Sequence, residues 1–206
     1  MNDTQTVFIV DDDEGVRDGL SLLLATVGQS CELYEGGQEF LDAYDPGKRG
    51  CLVLDIRMPR MTGLDLQKKL IEMESTLPII FITGHGDIPM AVEAMRRGAL
   101  DFIRKPFREH DLLERINEAL NIDENAHRKA MNRQQLAEKL SSLSEREKEV
   151  FDRVAEGQMN KVIAADLGIS ERTVEVHRGQ VMKKLDVRTL AQLVRVKIDM
   201  ELTAKE

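Results

Sequence analysis

The chain has 206 residues, 42% of them apolar and 32% charged, the balance of a globular protein rather than a disordered one. No apolar run approaches the roughly 18 residues that a membrane span needs, and the first apolar stretch has no basic flank and ends in three aspartates, so neither a span nor a signal peptide is expected and the reading is cytoplasmic. The formal net charge of −8 argues at first against a nucleic-acid partner.

In chain order, the first 120 residues alternate short apolar runs with amphipathic ones, the pattern of a parallel sheet covered by helices on both faces. Strands are predicted at Val7–Val10, Glu32–Tyr34, Cys51–Leu54, Ile79–Ile82 and Asp101–Ile103. The first, third and fourth are apolar without alternation, as expected of strands buried on both faces. Helices are predicted between and after them at Val16–Thr26, Gln38–Tyr44, Leu64–Met73, Ile88–Arg97 and Asp111–Leu120. Five such units make one doubly wound α/β domain. Cys31 and Cys51 sit in strand-like contexts and read as two buried thiols of a reducing cytoplasm.

Residues 111–140 hold neither Gly nor Pro, so the fifth helix is predicted to run on as a linker. Its apolar stripe thins beyond Asn121 to Ala126, Ala130, Leu136 and Leu140, a poor seam for heptad pairing with a second chain. The predicted boundaries are 1–121, a helical linker 122–140, and 141–206. The last segment has no strand-like run. Ser144-Glu145-Arg146-Glu147 fits a capping box and opens a helix that stops near Gly157. A second helix is predicted from Asn160 to Leu167, a third from Glu171 to about Leu185 with Ser170 as its cap, and a fourth from Thr189 to Met200. Four short helices with a turn at Gly168-Ile169-Ser170 describe an all-α helix-turn-helix domain.

Charge is unevenly placed. Residues 1–122 hold 13 Lys/Arg against 22 Asp/Glu, a net of −9, whereas residues 170–197 hold seven against three, a net of +4. An acidic domain is followed by one with a locally basic stretch, which reopens the nucleic-acid reading.

In a doubly wound sheet of order 2-1-3-4-5, strands 1 and 3 are neighbours and their carboxyl ends flank the switch point where ligands bind. Asp11, Asp12 and Asp13 follow the first strand and Asp55 the third; Thr83-Gly84 ends the fourth, and Lys105-Pro106 follows the fifth. Helix capping accounts for Asp13, but not for one polar group delivered by each of four strand ends to one rim. Crowded carboxylates either raise a pKa or bind a hard cation, and Mg²⁺ suits one or two carboxylates plus phosphate oxygens. Asp55 is placed to be a nucleophile, Thr83 a hydroxyl donor and Lys105 a point charge.

Asp11-Asp12, Leu54-Asp55-Ile56-Arg57-Met58-Pro59, Thr83-Gly84 and Lys105-Pro106-Phe107 resemble the receiver domain of bacterial response regulators, with its flavodoxin-like five-stranded sheet. The resemblance implies that Asp55 takes a phosphoryl group from a phosphohistidine of a sensor histidine kinase. It implies an Mg²⁺ site of Asp11, Asp12, Asp55 and the Arg57 carbonyl, a cis Lys105–Pro106 bond, and a switch in which Thr83 moves inward and Phe102 follows. The helix 4, strand 5 and helix 5 face, with Met90, Val92, Ala94 and Met95, is the implied dimer surface, although helix 4 packing on its own sheet accounts for about half of these. Arg60 stands where the family usually has glycine, which leaves the phosphoryl lifetime open.

The C-terminal string Leu143-Ser144-Glu145-Arg146-Glu147, Gly157, Asn160-Lys161, Ile163-Ala164, Leu167-Gly168-Ile169-Ser170, Thr173–His177 and Lys183-Lys184-Leu185 resembles the LuxR-type helix-turn-helix of FixJ/NarL-type regulators. Within the receiver, Gly84-His85-Gly86-Asp87-Ile88-Pro89-Met90 through Met95 resembles the FixJ branch of the family. A helix-turn-helix sets the start of its second helix against base edges in the major groove. Arg172, Thr173, Glu175, Val176 and Arg178 lie there; Glu175 suits cytosine N4 and Val176 a thymine methyl. Asn160 joins the expected DNA contacts, and Lys161, Lys183 and Lys184 are read as phosphate contacts. Leu167, Ile169, Val174, Val181 and Leu185 are read as core, His177 as a packing or phosphate-contact residue, and Gly179 costs on the order of 1 kcal/mol against Ala in mid-helix.

The expectation is a transcription regulator that dimerises when phosphorylated, binds double-stranded DNA and acts with RNA polymerase. An Mg²⁺-dependent phosphatase would carry a D-x-D arrangement, whereas Ile56-Arg57 follow Asp55, and no P-loop, Gly-x-Ser-x-Gly or metal-histidine motif occurs, so no enzyme is expected. A protein-interaction module in place of the DNA-binding one is disfavoured by the +4 stretch.

Overall fold

The computed structural model describes residues 5–84 and 88–203, with side chains of the last helix as far as Glu201. His85, Gly86 and Asp87 of the FixJ-like string lie outside the described residues. The elements are β1 (Thr6–Val10), α1 (Glu14–Thr26), β2 (Cys31–Tyr34), α2 (Gly37–Ala43), β3 (Gly50–Asp55), α3 (Gly63–Glu72), β4 (Ile79–Thr83), α4 (Ile88–Arg96), β5 (Asp101–Arg104) and α5 (Glu109–Ser141), followed by α6 (Glu145–Ala155), α7 (Asn160–Leu167), α8 (Glu171–Lys184) and α9 (Leu190–Thr203). The chain divides into two compact units, Met1–His127 and Arg128–Glu206.

In the first unit the five strands are all parallel in the order β2-β1-β3-β4-β5. Register aligns Val10 with Leu54, Leu54 with Phe81, Asp55 with Ile82, and Thr83 with Arg104, so the carboxyl ends share one rim. Unalternated apolar strands imply two covered faces, and both are present. Phe8, Val10, Leu52, Leu54 and Phe81 pack with Phe40 of α2 and with Leu66 and Leu70 of α3. Val7, Ile9, Cys51, Val53, Ile80 and Ile82 point the other way, onto Leu20 and Leu24 of α1 and Leu112, Ile116 and Ala119 of α5.

Helix starts reflect caps that apolar periodicity does not show. Asp13 accepts from the Gly15 and Val16 amides, so α1 begins at Glu14, two residues earlier than predicted. Thr62 and Asp65 form a reciprocal capping box that opens α3 at Gly63. In α4, Ala94 is fully buried and Met90 packs on the core, whereas Val92 and Met95 are exposed. The expected dimer surface is corrected accordingly: Ala94 belongs to the core, because its position on the helix faces the sheet.

The long fifth helix is observed as one element of 33 residues. It remains fastened to the first unit beyond Asn121. Asp123, 6% exposed, accepts from Arg49 Nη2 at 2.9 Å and from Gln5 Nε2 at 2.7 Å, and Glu124 accepts from Arg49 Nη2 at 2.7 Å.

In the second unit Val150, Phe151, Val154, Ile163, Val174, Val181, Leu185 and Leu193 form the core, with Leu167 and Ile169 packed at its margin. Gly157 (φ 83°) and Gly168 (φ 65°) both take the left-handed conformation that ends a helix. Among the described residues no helix is long and apolar enough to cross a membrane.

Both cysteines are free. Cys51 is buried in β3, whereas Cys31 is only half-buried, a correction to the expectation of two buried thiols: β2 is an edge strand with one face partly open. Burial, with the nearby Asp123 charge adding to it, pushes the Cys51 thiol up to about 12. A thiol reagent at pH 8 is therefore expected to modify one cysteine, Cys31, in the native protein and two after denaturation. Rapid native labelling of Cys51, read by peptide mass spectrometry, would contradict the packing of β3.

Candidate functional site

The carboxyl rim of the sheet brings together four of the predicted groups. Asp11, at the end of β1, and Asp55, at the end of β3, are 1% and 5% exposed. Lys105, which follows β5, places Nζ between them, donating to Asp11 Oδ2 at 2.6 Å and to Asp55 Oδ1 at 3.0 Å. The other oxygens are also held: Asp55 Oδ2 accepts from the Arg57 amide at 2.6 Å, and Asp11 Oδ1 from the Asp13 amide at 3.0 Å. Thr83 is buried at the end of β4, its carbonyl accepting from the Lys105 amide at 2.7 Å. Gly84 beside it is exposed. Phe102 pairs in register with Phe81 and lies against the core, and the Lys105–Pro106 bond is cis.

Burial raises the Asp55 carboxyl above its usual range; the Lys105 ammonium pulls it back in part, while Asp11 pushes it further up. Burial alone would lower Lys105, but its bonds to Asp11 and Asp55 outweigh that and hold it above the usual lysine range.

Asp12, expected as a metal ligand, is exposed beside this pair. Among the described residues no three carboxylate, His or Cys side chains converge into a ready-made metal cage. Mg²⁺ does not require one, since it binds through one or two carboxylates, phosphate oxygens and water. The all-oxygen donors of Asp11 and Asp55 fit that ion in hardness and number.

The loop after Asp55 is tightly seated. The Gly63 amide donates to the Ile56 carbonyl at 2.9 Å, and a Cβ on Gly63 would lie 2.3 Å from the Asp55 carbonyl oxygen. Only glycine lets the start of α3 rest on the backbone of Asp55. Arg60 has a φ of 67°, within a three-residue turn closed by the Met61 amide on the Pro59 carbonyl at 2.7 Å. The loop thus keeps a left-handed residue at this position although it is an arginine, at a cost of about 1 kcal/mol. Beside Lys105 and Pro106 an apolar cleft of about 370 Å³ opens, lined by Val16, Gly19, Leu20, Leu23 and Phe107.

In the second unit the turn between α7 and α8 carries the expected cap: Ser170 Oγ accepts from the Thr173 amide at 3.1 Å and lies 2.8 Å from Thr173 Oγ1. The Thr173 hydroxyl is therefore engaged at the helix start. Arg172, Glu175, Val176 and Lys183 are exposed on α8 and Lys161 on α7. Asn160 and Arg178 are half-buried and meet, Arg178 Nη1 donating to Asn160 Oδ1 at 3.3 Å. His177 is half-buried, its Nδ1 enclosed.

Lys184, expected to hold a phosphate, is exposed and donates to Glu147 Oε2 at 2.6 Å and to the Ser142 carbonyl at 3.0 Å. Glu147 was legible only as a cap residue; it is 3% exposed and also accepts from the Ser144 amide at 2.7 Å. These bonds tie the end of α8 to the start of α6.

Residues 7–117 match the response regulator receiver domain and residues 141–197 match the bacterial regulatory proteins of the luxR family. The response regulator protein TmoT of Ectopseudomonas mendocina is 47% identical over 95% of this chain and 90% of its own length. The transcriptional regulatory protein FixJ of Bradyrhizobium diazoefficiens is 41% identical over 92% of this chain and 93% of its own. Among solved structures, the response regulator StyR superposes with a TM-score of 0.88 at 46% identity, covering 94% of this chain and 98% of its own. Fold and rim together define a receiver followed by a LuxR-type helix-turn-helix. The chain belongs to the two-component response regulators with a LuxR-type DNA-binding domain; it is a transcription regulator and not an enzyme.

The Lys184 bond to Glu147, followed by the Ser144 amide bond, holds the Glu147 carboxyl below the usual range. A depressed folded pKa contributes stability that is fully present above the unfolded value, about 4.3 for Glu, and is lost as pH falls through the folded one. Glu147→Gln is expected to lower the melting temperature at pH 7, with the gap to wild type closing below about pH 4. A gap that stays constant down to pH 2.5 in thermal melts would contradict the pairing.

Proposed function

We propose that a sensor histidine kinase phosphorylates Asp55 and that this event controls dimerisation and sequence-specific DNA binding. The observation that carries the reading is the Lys105 ammonium shared by Asp11 and Asp55 at the carboxyl rim. A phosphoryl group on Asp55 would arrive at a cation already in place. In the transfer, an Asp55 carboxylate oxygen attacks phosphorus as the P–N bond to the donor histidine breaks, and the leaving nitrogen keeps the bonding electrons. Asp11, Asp12 and Asp55 with the Arg57 carbonyl would hold Mg²⁺, which when bound neutralises charge on the phosphoryl oxygens. Asp11 remains paired with Lys105 while Lys105 follows the new oxygens. Thr83 donates its hydroxyl to one of them by moving toward Asp55, and Phe102 moves into the volume it leaves. Gly84 and Pro106 shape the two loops that carry Thr83 and Lys105. The apolar cleft beside Lys105 is a seat for the phosphodonor.

The receiver spans residues 1–121, a helical linker 122–140, and the DNA-binding domain 141–206. Phosphorylation favours a homodimer through α4, β5 and α5, to which Val92 and Met95 offer exposed apolar surface. On DNA, Arg172, Glu175, Val176 and Arg178 face base edges, Lys161 and Lys183 hold phosphates, and Asn160 orients Arg178. The regulator works in the cytoplasm with RNA polymerase.

With Mg²⁺ and a small phosphodonor, wild type is expected to gain one phosphoryl group by intact mass and Asp55→Asn none. Labelling of Asp55→Asn at the wild-type level would overturn the assignment of the acceptor.

A further inference from the structure

Gly179 stands in the middle of α8, where glycine is among the poorest helix formers. Nothing inside the domain asks for it. Its φ lies outside the left-handed region, it is exposed, and a Cβ built on it would meet nothing within 4 Å. At helical spacing Arg172, Val176, Gly179 and Lys183 form one stripe, and all four are exposed. Val176 is a second costly choice on that stripe, an apolar β-branched side chain 54% exposed, while Val174 and Val181 occupy the core side of the same helix.

The dimensions of the stripe match a groove. Arg172 and Lys183 lie eleven residues apart, about 16 Å along a helix rising 1.5 Å per residue. The major groove is about 12 Å wide, and a helix with its side chains is about 10–12 Å across, so a helix enters with little clearance. Two cations thus bracket a span that holds one apolar side chain and one bare stretch of backbone.

We propose that Gly179 is the point at which duplex DNA comes into van der Waals contact with the backbone of α8, with Lys183 on a phosphate beside it and Arg172 and Val176 against base edges. This rests on the reading of α8 as the helix that faces DNA. The missing side chain sets how deeply α8 sits, and so which of Glu175 and Val176 reach the base edges. Affinity should fall with any bulk added at 179, whatever its chemistry.

The test uses the full chain with Mg²⁺ and a phosphodonor, and a duplex selected by the wild-type chain from a random-sequence pool. Wild type, Gly179→Ala, Gly179→Leu and Lys183→Ala are compared by fluorescence anisotropy across salt concentrations and by thermal melting. Gly179→Ala should bind at least about tenfold more weakly, and Gly179→Leu more weakly still, with the salt slope unchanged because no charge is altered. Both should melt at or above the wild-type temperature, since Ala and Leu are better helix formers. Lys183→Ala should lose affinity and reduce the salt slope by about one. If Gly179→Leu binds as wild type while Lys183→Ala is weakened, the inference on Gly179 falls and the reading of α8 stands. If none of the three is weakened, that reading falls too. Weaker binding accompanied by a lower melting temperature would assign Gly179 to folding and overturn the proposal.

Discussion

Two buried carboxylates at the ends of neighbouring strands, Asp11 and Asp55, repel each other, and the Lys105 ammonium between them makes their burial tolerable. The rest of the receiver is arranged to allow that contact. The strand order sets β1 beside β3, parallel pairing brings every carboxyl end to one rim, and the long lysine side chain spans the distance from the fifth strand. Gly63 then lets α3 press on the backbone of Asp55, fixing where its carboxylate stands. A phosphoryl group would add charge to a site whose countercharge is already positioned, so little of the surroundings must reorganise beyond Thr83 and Phe102.

The second unit contains a related contact with a different purpose. Glu147 is buried against Lys184, which arrives from the far end of α8. This pair joins the two ends of the helix-turn-helix segment, so that the exposed side of α8 is presented on a fixed frame. Lysines 183 and 184 are adjacent in sequence and both exposed, and Lys184 is paired with Glu147.

Much of this was legible in the chain itself, for identifiable reasons. Unalternated apolar runs such as Ile79-Ile80-Phe81-Ile82 require two covered faces, and polar residues at the ends of such runs mark the rim. Helix starts were legible where a cap was read, as at Asp13, Ser144 and Ser170, but not at Thr62, whose capping box leaves no apolar periodicity. Exposure within a helix was legible only in part: Ala94 and Val92 look alike in sequence, yet one is buried and the other exposed. The pairing of Lys184 and the engagement of the Thr173 hydroxyl depend on partners that composition does not reveal. The Arg49–Asp123 pair joins residues 74 positions apart and had no local signal at all.

That pair bears on where the receiver ends as a self-sufficient object. The Arg49 guanidinium is largely shielded from water, and its carboxylate partners, Asp123 and Glu124, lie beyond the last apolar residue that α5 buries in the sheet's core. A fragment cut after Asn121 would retain the apolar residues that α5 buries in the sheet's core and yet remove two carboxylate partners of Arg49. Charge as well as apolar packing therefore joins α5 to the receiver, and the turn of helix that carries Asp123 and Glu124 is fastened to it although its apolar pattern alone would assign it to the linker.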